Sequence, residues 1–342
     1  MLNISRKTKV FVFSPSSKVT GGVELLHQLV DVLNKSGIEA FIVYLGADKA
    51  IPEPYRGYHI KTSEAVDDQP EHIVVMCEGG MFDESLYLTR AQLVFWWLSV
   101  DNFYFGSIDK LKFTDYINWD LKIAMKILAK KLLRFQLPSK GTISIDYLKK
   151  LKGVHCYQSE YAHQYLLKQG FKNLFPLSDY INGEYNAEGT AVKEDIVLYN
   201  PVKGIKFTNK LRALAPDIQW IPLINLQRHQ LLNLLQRSKL YIDFGEHPGK
   251  DRIPREAALS GCCVITGMKG SAGYHEDIPI SNFYKIADSG KNVHETALAR
   301  IRQVLQDFTK HTADFEEYRM KIRLEEQVFT EEVKKLFNMN QH

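Results

Sequence analysis

Apolar positions along this chain come in short runs separated by helical stretches, and the alternation repeats twice. Lys9 to Phe13 is an apolar run of strand length, followed by a polar loop that ends in Thr20-Gly-Gly22. Leu25, Leu26, Leu29, Val30 and Leu33 then fall on one face of a helix that Gly37 terminates. Ala40 to Leu45 predicts the next strand. A strand, a glycine-rich turn, a helix and a strand make a βαβ unit, which requires a parallel sheet. Further strands are predicted at His72 to Cys77, Gln92 to Val100, Val154 to Gln158 and Leu174 to Leu177, with a helix from Glu160 to Gln169.

The pattern then restarts. Asp195 to Tyr199 predicts a strand, Asn200-Pro-Val-Lys-Gly204 a loop, and a helix follows through Leu214. Ile218 to Leu223 is a strand, Leu226 to Gln236 a helix, and Leu240 to Phe244 another strand. After a charged loop and a short helix, Gly261 stops the helix and Cys262 to Thr266 forms a strand. A further strand is expected at Phe283 to Ile286, and a helical tail from about Asn292. The expected class is α/β, with two doubly wound Rossmann-like halves. The expected boundaries are 1–180, 190–290 and a helical segment 291–342.

Composition narrows the class further. The 342 residues suffice for two domains of ordinary size, and a net charge of +4 gives no case for nucleic acid. The four cysteines (Cys77, Cys156, Cys262, Cys263) lack metal-ligand spacing, and a reducing compartment suits them. Met1 to Lys9 leads straight into a strand, so no signal peptide is expected, and no apolar run approaches a membrane span. A cytoplasmic protein is the expectation.

The densest chemistry lies between the strands at Leu240 and Cys262. Glu246, His247, Lys250, Asp251, Arg252 and Arg255 crowd one loop at the start of a helix that carries Glu256. Asp251 is a good N-cap, and Pro254 is tolerated in a first turn. Cationic side chains and free backbone N–H groups at a helix N-terminus make an anion site, with phosphate the expected anion. Glu256, one turn inside, can accept hydrogen bonds from a hydroxylated ligand such as a ribose.

Glu256-Ala-Ala-Leu-Ser-Gly-Cys-Cys-Val-Ile265 resembles a segment of the nucleotide-sugar-dependent GT-B glycosyltransferases of the group 1 type, which reads Glu-Ala-small-apolar-small-Gly-x-Pro-Val-Ile. The resemblance implies two Rossmann-like domains facing a cleft, and a ribose-binding role for Glu256. Many retaining members carry an earlier glutamate with seven residues between the two. Here that position is Pro248, and the nearest candidates are Glu246 and His247. The sugar-contacting role of the first glutamate therefore does not transfer cleanly.

Other segments take roles from the same resemblance. Lys203-Gly204 corresponds to a place where such enzymes put a cation against the departing diphosphate; a fixed cation stabilises the charge that develops there. Lys250 or Arg252 is the second cation. Gly21 and Gly22 form a loop that faces the cleft, where lack of Cβ atoms permits close ligand approach. Apart from the resemblance, Asp101 follows a strand, where ligands of open sheets sit, and is read either as the base that deprotonates an acceptor hydroxyl or as a cap of the next turn, with Glu78 as the rival base and His247 as a third candidate. No Asp-x-Asp triplet occurs, so a metal-independent site with no cofactor is expected. Ser159 is expected as a helix cap.

Lys122, Lys126, Lys130 and Arg134 recur every four residues within 119–137, among apolar positions. A basic amphipathic helix suits an anionic membrane surface, and equally a core helix with a solvated lysine face. Peripheral docking at the inner face of a membrane would suit a lipid-linked acceptor. The expected function is transfer of a sugar from a nucleotide-sugar donor to a glycan or lipid-linked hydroxyl, in cell-surface polysaccharide or glycolipid synthesis. The alternatives are a sugar-nucleotide epimerase of the same architecture and a non-catalytic nucleotide- or membrane-binding partner of a synthase.

Overall fold

A computed structural model describes residues 2–16, 19–78, 81–106, 143–185, 192–287 and 289–339, together with Met125 and Ala129. The rest of the segment 119–137, where the basic helix is expected, lies outside the described residues. So do Gly79 and Gly80.

The chain forms two compact units, Met1–Asp179 with Gln327–His342, and Tyr180–Glu326. In the first, β1 (Lys9–Pro15), β2 (Glu39–Leu45), β3 (Ile73–Cys77), β4 (Gln92–Trp97), β5 (Gly153–Tyr157) and β6 (Leu174–Pro176) make one parallel sheet in the order β2-β1-β3-β4-β5-β6. Helices α1 (Gly21–Lys35), α2 (Val100–Gly106), α3 (Ile145–Lys150) and α4 (Glu160–Gln169) accompany it. Every residue of β3 is buried, as continuous apolar runs in a sheet covered on both faces require. Trp96 and Trp97 are consecutive, so their side chains leave opposite faces, and both are fully buried. Trp96 Nε1 donates to Leu177 O at 2.8 Å, and Trp97 Nε1 to His155 Nδ1 at 3.2 Å. Ser159 caps α4 by accepting from Ala162 N at 3.2 Å.

The second unit holds a four-stranded parallel sheet, β10-β9-β7-β8. Its strands are β7 (Glu194–Tyr199), β8 (Gln219–Pro222), β9 (Ser238–Asp243) and β10 (Cys263–Thr266). Between them run α5 (Ile205–Leu214), α6 (Arg228–Arg237) and α7 (Arg252–Leu259). Helices α8 (Val293–Gln306), α9 (Phe308–Ala313), α10 (Glu316–Arg323) and α11 (Glu325–Leu336) complete the chain. Residues from Gln327 onwards belong to the first unit. There Ser178 N and Oγ each donate to Glu332 Oε2 at 2.7 Å, and Phe329 stacks on Trp96 with centroids 6.2 Å apart.

Two local expectations change. The strand from Gln92 ends at Trp97, and Val100 already belongs to α2, with Asp101 in its first turn. No strand forms at Phe283 to Ile286. Ser281 accepts from Phe283 N and turns the chain into a short 3-10 helix, Asn282–Tyr284, leaving one bridge between Thr266 and Lys285. Among the described residues, no helix is long and apolar enough to cross a membrane.

Candidate functional site

Parallel strands deliver all their C-terminal loops to one edge of a sheet, and ligands of open α/β sheets gather there. At that edge of the second unit, the loops after β7, β9 and β10 pack backbone against backbone. Asn200 Oδ1 accepts from Val202 N at 2.9 Å and Lys203 N at 3.0 Å, which bends the first loop. Gly204 follows in the left-handed region (φ 63°), and a Cβ there would lie 2.4 Å from the carbonyl carbon and oxygen of Phe244. Gly270 (φ 57°) is pressed equally hard: its Cβ would lie 1.9 Å from His247 O. Ser271 N donates to His247 O at 2.9 Å, and Ser271 Oγ to Gly249 O at 2.7 Å. The charged loop is thus held from both sides.

Its charges form a chain. Lys203 Nζ, about one third exposed, lies 2.7 Å from Asp251 Oδ2. The same oxygen lies 3.1 Å from His247 Nδ1, and His247 Nε2 lies 3.8 Å from Asp243 Oδ1. Asp243 in turn accepts from Gly245 N at 2.9 Å and Tyr241 Oη at 2.8 Å. His247 is completely buried. Burial pulls its pKa down and Lys203 adds to that, yet the Asp251 and Asp243 carboxylates outweigh both and hold it above the ordinary histidine value. Burial would raise Asp251, but His247 and Lys203 hold it below the usual carboxylate range.

Asp251 occupies the N-cap position of α7, as expected, but its side chain makes no capping bond. The carboxylate is turned to Lys203 and His247 instead, 2.7 Å from the Lys203 ammonium. One donor atom each from Asp243, His247 and Asp251 falls within 4.8 Å of the others, a spacing that could hold a cation. The Lys203 ammonium already supplies positive charge at the Asp251 oxygen.

The other basic residues point elsewhere. Arg255 is buried and donates from Nη1 to Glu325 Oε2 at 2.7 Å and from Nη2 to Lys250 O at 3.0 Å. Lys250 Nζ lies 2.7 Å from Glu325 Oε1. One carboxylate therefore takes two cations of the loop. Glu325 lies 70 residues away from Arg255, and nothing in the sequence marks it except an acidic residue in a helical tail. Arg252 Nε donates to Glu256 Oε1 at 3.2 Å, one turn along α7. Glu246 is exposed and lies 3.6 Å from Lys269 Nζ.

Lys203, Gly204, His247, Lys250, Arg252 and Glu256 are thus gathered on the loops and helix start of one sheet edge. Gly21, Gly22, Glu78 and Asp101 belong to the first unit. There Gly21 and Gly22 open α1, whose N-cap is Thr20. A Cβ on Gly22 would lie 3.8 Å from Leu98 Cδ1, and Leu98 N donates to Glu78 Oε2 at 2.9 Å. Leu98 therefore neighbours both. Burial pushes the Glu78 carboxyl up to about 8, against backbone hydrogen bonds from Leu98 and Ser99 that pull it down. Asp101 is buried and accepts from Tyr161 Oη at 3.0 Å.

No family model matches the sequence, and no curated protein matches it. Solved structures do match. Sucrose-phosphate synthase from Thermosynechococcus elongatus superposes with a TM-score of 0.63 at 10% identity, over 98% of this chain and 99% of that one. HepE from Anabaena, solved in complex with UDP-glucose, gives 0.63 at 11% identity over 96% and 99%. A glycosyltransferase from Rickettsia africae gives 0.60 at 12% identity over 98% and 99%. The fold is that of the GT-B glycosyltransferases. At such identities the likeness concerns the fold.

Proposed function

We propose that this protein transfers a sugar from a nucleotide-sugar donor to a hydroxyl of a glycan or lipid-linked acceptor, without a metal ion. The observation that carries the reading is the meeting of Lys203 with the start of α7, at the C-terminal edge of the second sheet and 2.7 Å from Asp251. An ammonium about one third exposed beside a helix N-terminus suits a diphosphate, since both favour anions. HepE, of like fold, was solved with UDP-glucose.

In this reading Lys203 and Arg252 face the diphosphate, and Glu256 accepts from the ribose. As the sugar leaves the nucleotide, negative charge grows on the terminal phosphate, and Lys203 stabilises it. Lys250 serves the loop through Glu325 rather than the phosphate. The acceptor half is the first unit, where Gly21 and Gly22 open a path for the substrate and Asp101 or Glu78 takes the hydroxyl proton. A place in polysaccharide or glycolipid synthesis at a membrane surface follows the same reading.

The test is a calorimetric panel of UDP, GDP, CDP and their sugars on wild type, Lys203→Ala and Glu256→Gln. One nucleotide should bind wild type, and each variant should weaken it by about tenfold or more, the value of one charge-assisted hydrogen bond. Turnover then requires an added acceptor. Sugar-nucleotide product released without any acceptor would instead mark an epimerase. A panel in which nothing binds removes the donor assignment.

A further inference from the structure

Both ring nitrogens of His247 and the hydroxyl oxygen of Thr266 are buried without a hydrogen-bond partner among the described residues. Each residue is fully enclosed. His247 Nδ1 comes within 3.1 Å of Asp251 but is too poorly aligned for a hydrogen bond, and Nε2 stands 3.8 Å from Asp243. Thr266 is the register partner of Asp243 on the neighbouring parallel strand, so the two side chains leave the same face of the sheet. Asp243 is buried as well, and among the described residues its one ion-pair partner is that distant ring. Buried polar atoms are nearly always paired, and a buried carboxylate is costly without a close cation. Orphaned nitrogen and oxygen donors thus meet two carboxylates at one end of β9, with Asp243, His247 and Asp251 each offering an atom within 4.8 Å of the others.

We propose that Asp243, His247 and Asp251, with the Thr266 hydroxyl beside them, bind one divalent first-row cation, Zn²⁺ or Mn²⁺. The donor set gives the class. Two carboxylates and an imidazole, with no thiolate, suit these ions, and the nitrogen ligand favours them over Mg²⁺ and Ca²⁺. Asp243 is already oriented, since Gly245 N donates to Oδ1 at 2.9 Å and Tyr241 Oη to Oδ2 at 2.8 Å. Such supporting hydrogen bonds are what hold a ligating carboxylate in place. With bonds of about 2.0–2.2 Å the donors must draw in to about 3–4 Å of one another. The Asp251 carboxylate makes no capping bond and is free to follow. Its Oδ2 is also the atom that holds Lys203 at 2.7 Å. Ammonium and metal ion therefore compete for that oxygen, and a bound ion releases Lys203. The ion rests on protein ligands alone, and the transfer step proposed above is not routed through it. The site stands whether or not that donor reading holds.

The test is titration of the metals alone, without nucleotide, into chelator-treated full-length protein. Zn²⁺, Mg²⁺ and Ca²⁺ are followed by calorimetry and Mn²⁺ by the electron paramagnetic resonance signal of the free ion. Wild type, His247→Gln and Lys203→Ala are compared. Wild type should bind one Zn²⁺ or Mn²⁺, and Mg²⁺ and Ca²⁺ more weakly. His247→Gln should weaken the ion by about tenfold or more, as loss of a ligand does. Lys203→Ala should do the reverse and tighten it by roughly fivefold, because a competing cation has gone. Opposite shifts from the two variants are not produced by general damage to the fold. Pulsed resonance on Mn²⁺-loaded wild type needs no variant: the ion should couple to the nitrogen of one imidazole. Binding that is equal in all three proteins, or that shows no nitrogen coupling, is adventitious surface binding and overturns the inference. So does the lack of saturable binding to wild type. None of these outcomes touches the nucleotide panel, whose failure would remove the donor site and leave the cation site in place.

Discussion

Arg255 and Glu325 meet 2.7 Å apart, with the arginine side chain 1% exposed and the glutamate 6%. Between them they tie the charged loop before α7 to the start of α11. The same glutamate reaches Lys250 with its other oxygen at 2.7 Å. Removing one member of a buried pair leaves the other charged and unpaired, at a cost of about 3–5 kcal/mol. Glu325→Gln should therefore lower the urea midpoint of the second unit markedly. Glu331→Ala, which removes a half-exposed carboxylate 3.7 Å from Lys334 Nζ, should change stability by no more than about 0.5 kcal/mol. Equal midpoints for the two variants would show that Glu325 is not a structural clamp.

Gly204 tests how closely the loops must pack. Both Gly204 (φ 63°) and Gly37 (φ 85°) adopt left-handed backbone, so alanine strains both by about 1 kcal/mol or more. They differ in surroundings. A Cβ at Gly37 meets nothing within 4 Å, whereas at Gly204 it would meet the Phe244 carbonyl at 2.4 Å. Gly204→Ala should lose the larger share of stability in thermal unfolding, and it alone should weaken nucleotide binding, because the Phe244 backbone and Lys203 would have to move apart. Identical losses for both variants would mean that the close approach carries no weight.

The sequence made the βαβ order visible because apolar runs of strand length alternate with helical faces, and both sheets follow from that. It also placed Lys203, Gly204, Arg252 and Glu256 on one sheet edge, since parallel strands send their loops there. What it could not show are choices made between distant residues. Asp251 is a good cap by local rules, but the approach of Lys203 from another loop redirects its carboxylate. Arg255 looked like one more loop cation until Glu325 arrived from 70 residues away. The strand at Gln92 ran too far for a related reason: Leu98 N is claimed by the Glu78 carboxylate rather than by a neighbouring strand. Local periodicity carries no record of such partners.

Glu78 should make the first unit less stable in alkali. Its carboxyl ordinarily titrates near 4.5 and is raised to about 8 by burial. The folded state thus prefers the protonated form. The resulting stability is fully present below about pH 4.5 and is lost as pH rises towards 8, by an amount on the order of a few kcal/mol. Glu78→Gln keeps an uncharged group of the same shape, so its melting temperature should hold up better than that of wild type between pH 6 and 9. If the two curves stay parallel over that range, Glu78 is ionised throughout and the carboxyl is a constitutive anion.

His155 acts in the opposite direction. It stacks on Phe95 with centroids 4.9 Å apart, accepts from Trp97 Nε1 at 3.2 Å, and is 3% exposed. Burial pulls its pKa from 6.5 down to about 4, although a hydrogen bond with the Leu148 carbonyl works the other way. The folded state holds the neutral ring, and the unfolded chain binds the proton more readily. Stability from this residue is therefore complete above pH 6.5 and is lost as pH falls from 6.5 to about 4, amounting to about 3 kcal/mol. His27, buried with its pKa also lowered by burial, adds a contribution of the same sign, so a wild-type acid profile alone cannot assign the loss. His155→Gln can. The variant should be less stable than wild type at pH 7.5, because the stacked ring is gone, but its stability should fall less between pH 7 and pH 5. The deciding quantity is the difference between the two urea midpoints at each pH. It should shrink on acidification; a constant difference would mean that His155 gains its proton in the fold at the same pH as in the unfolded chain, with its charge satisfied in some way other than the Trp97 and Leu148 contacts.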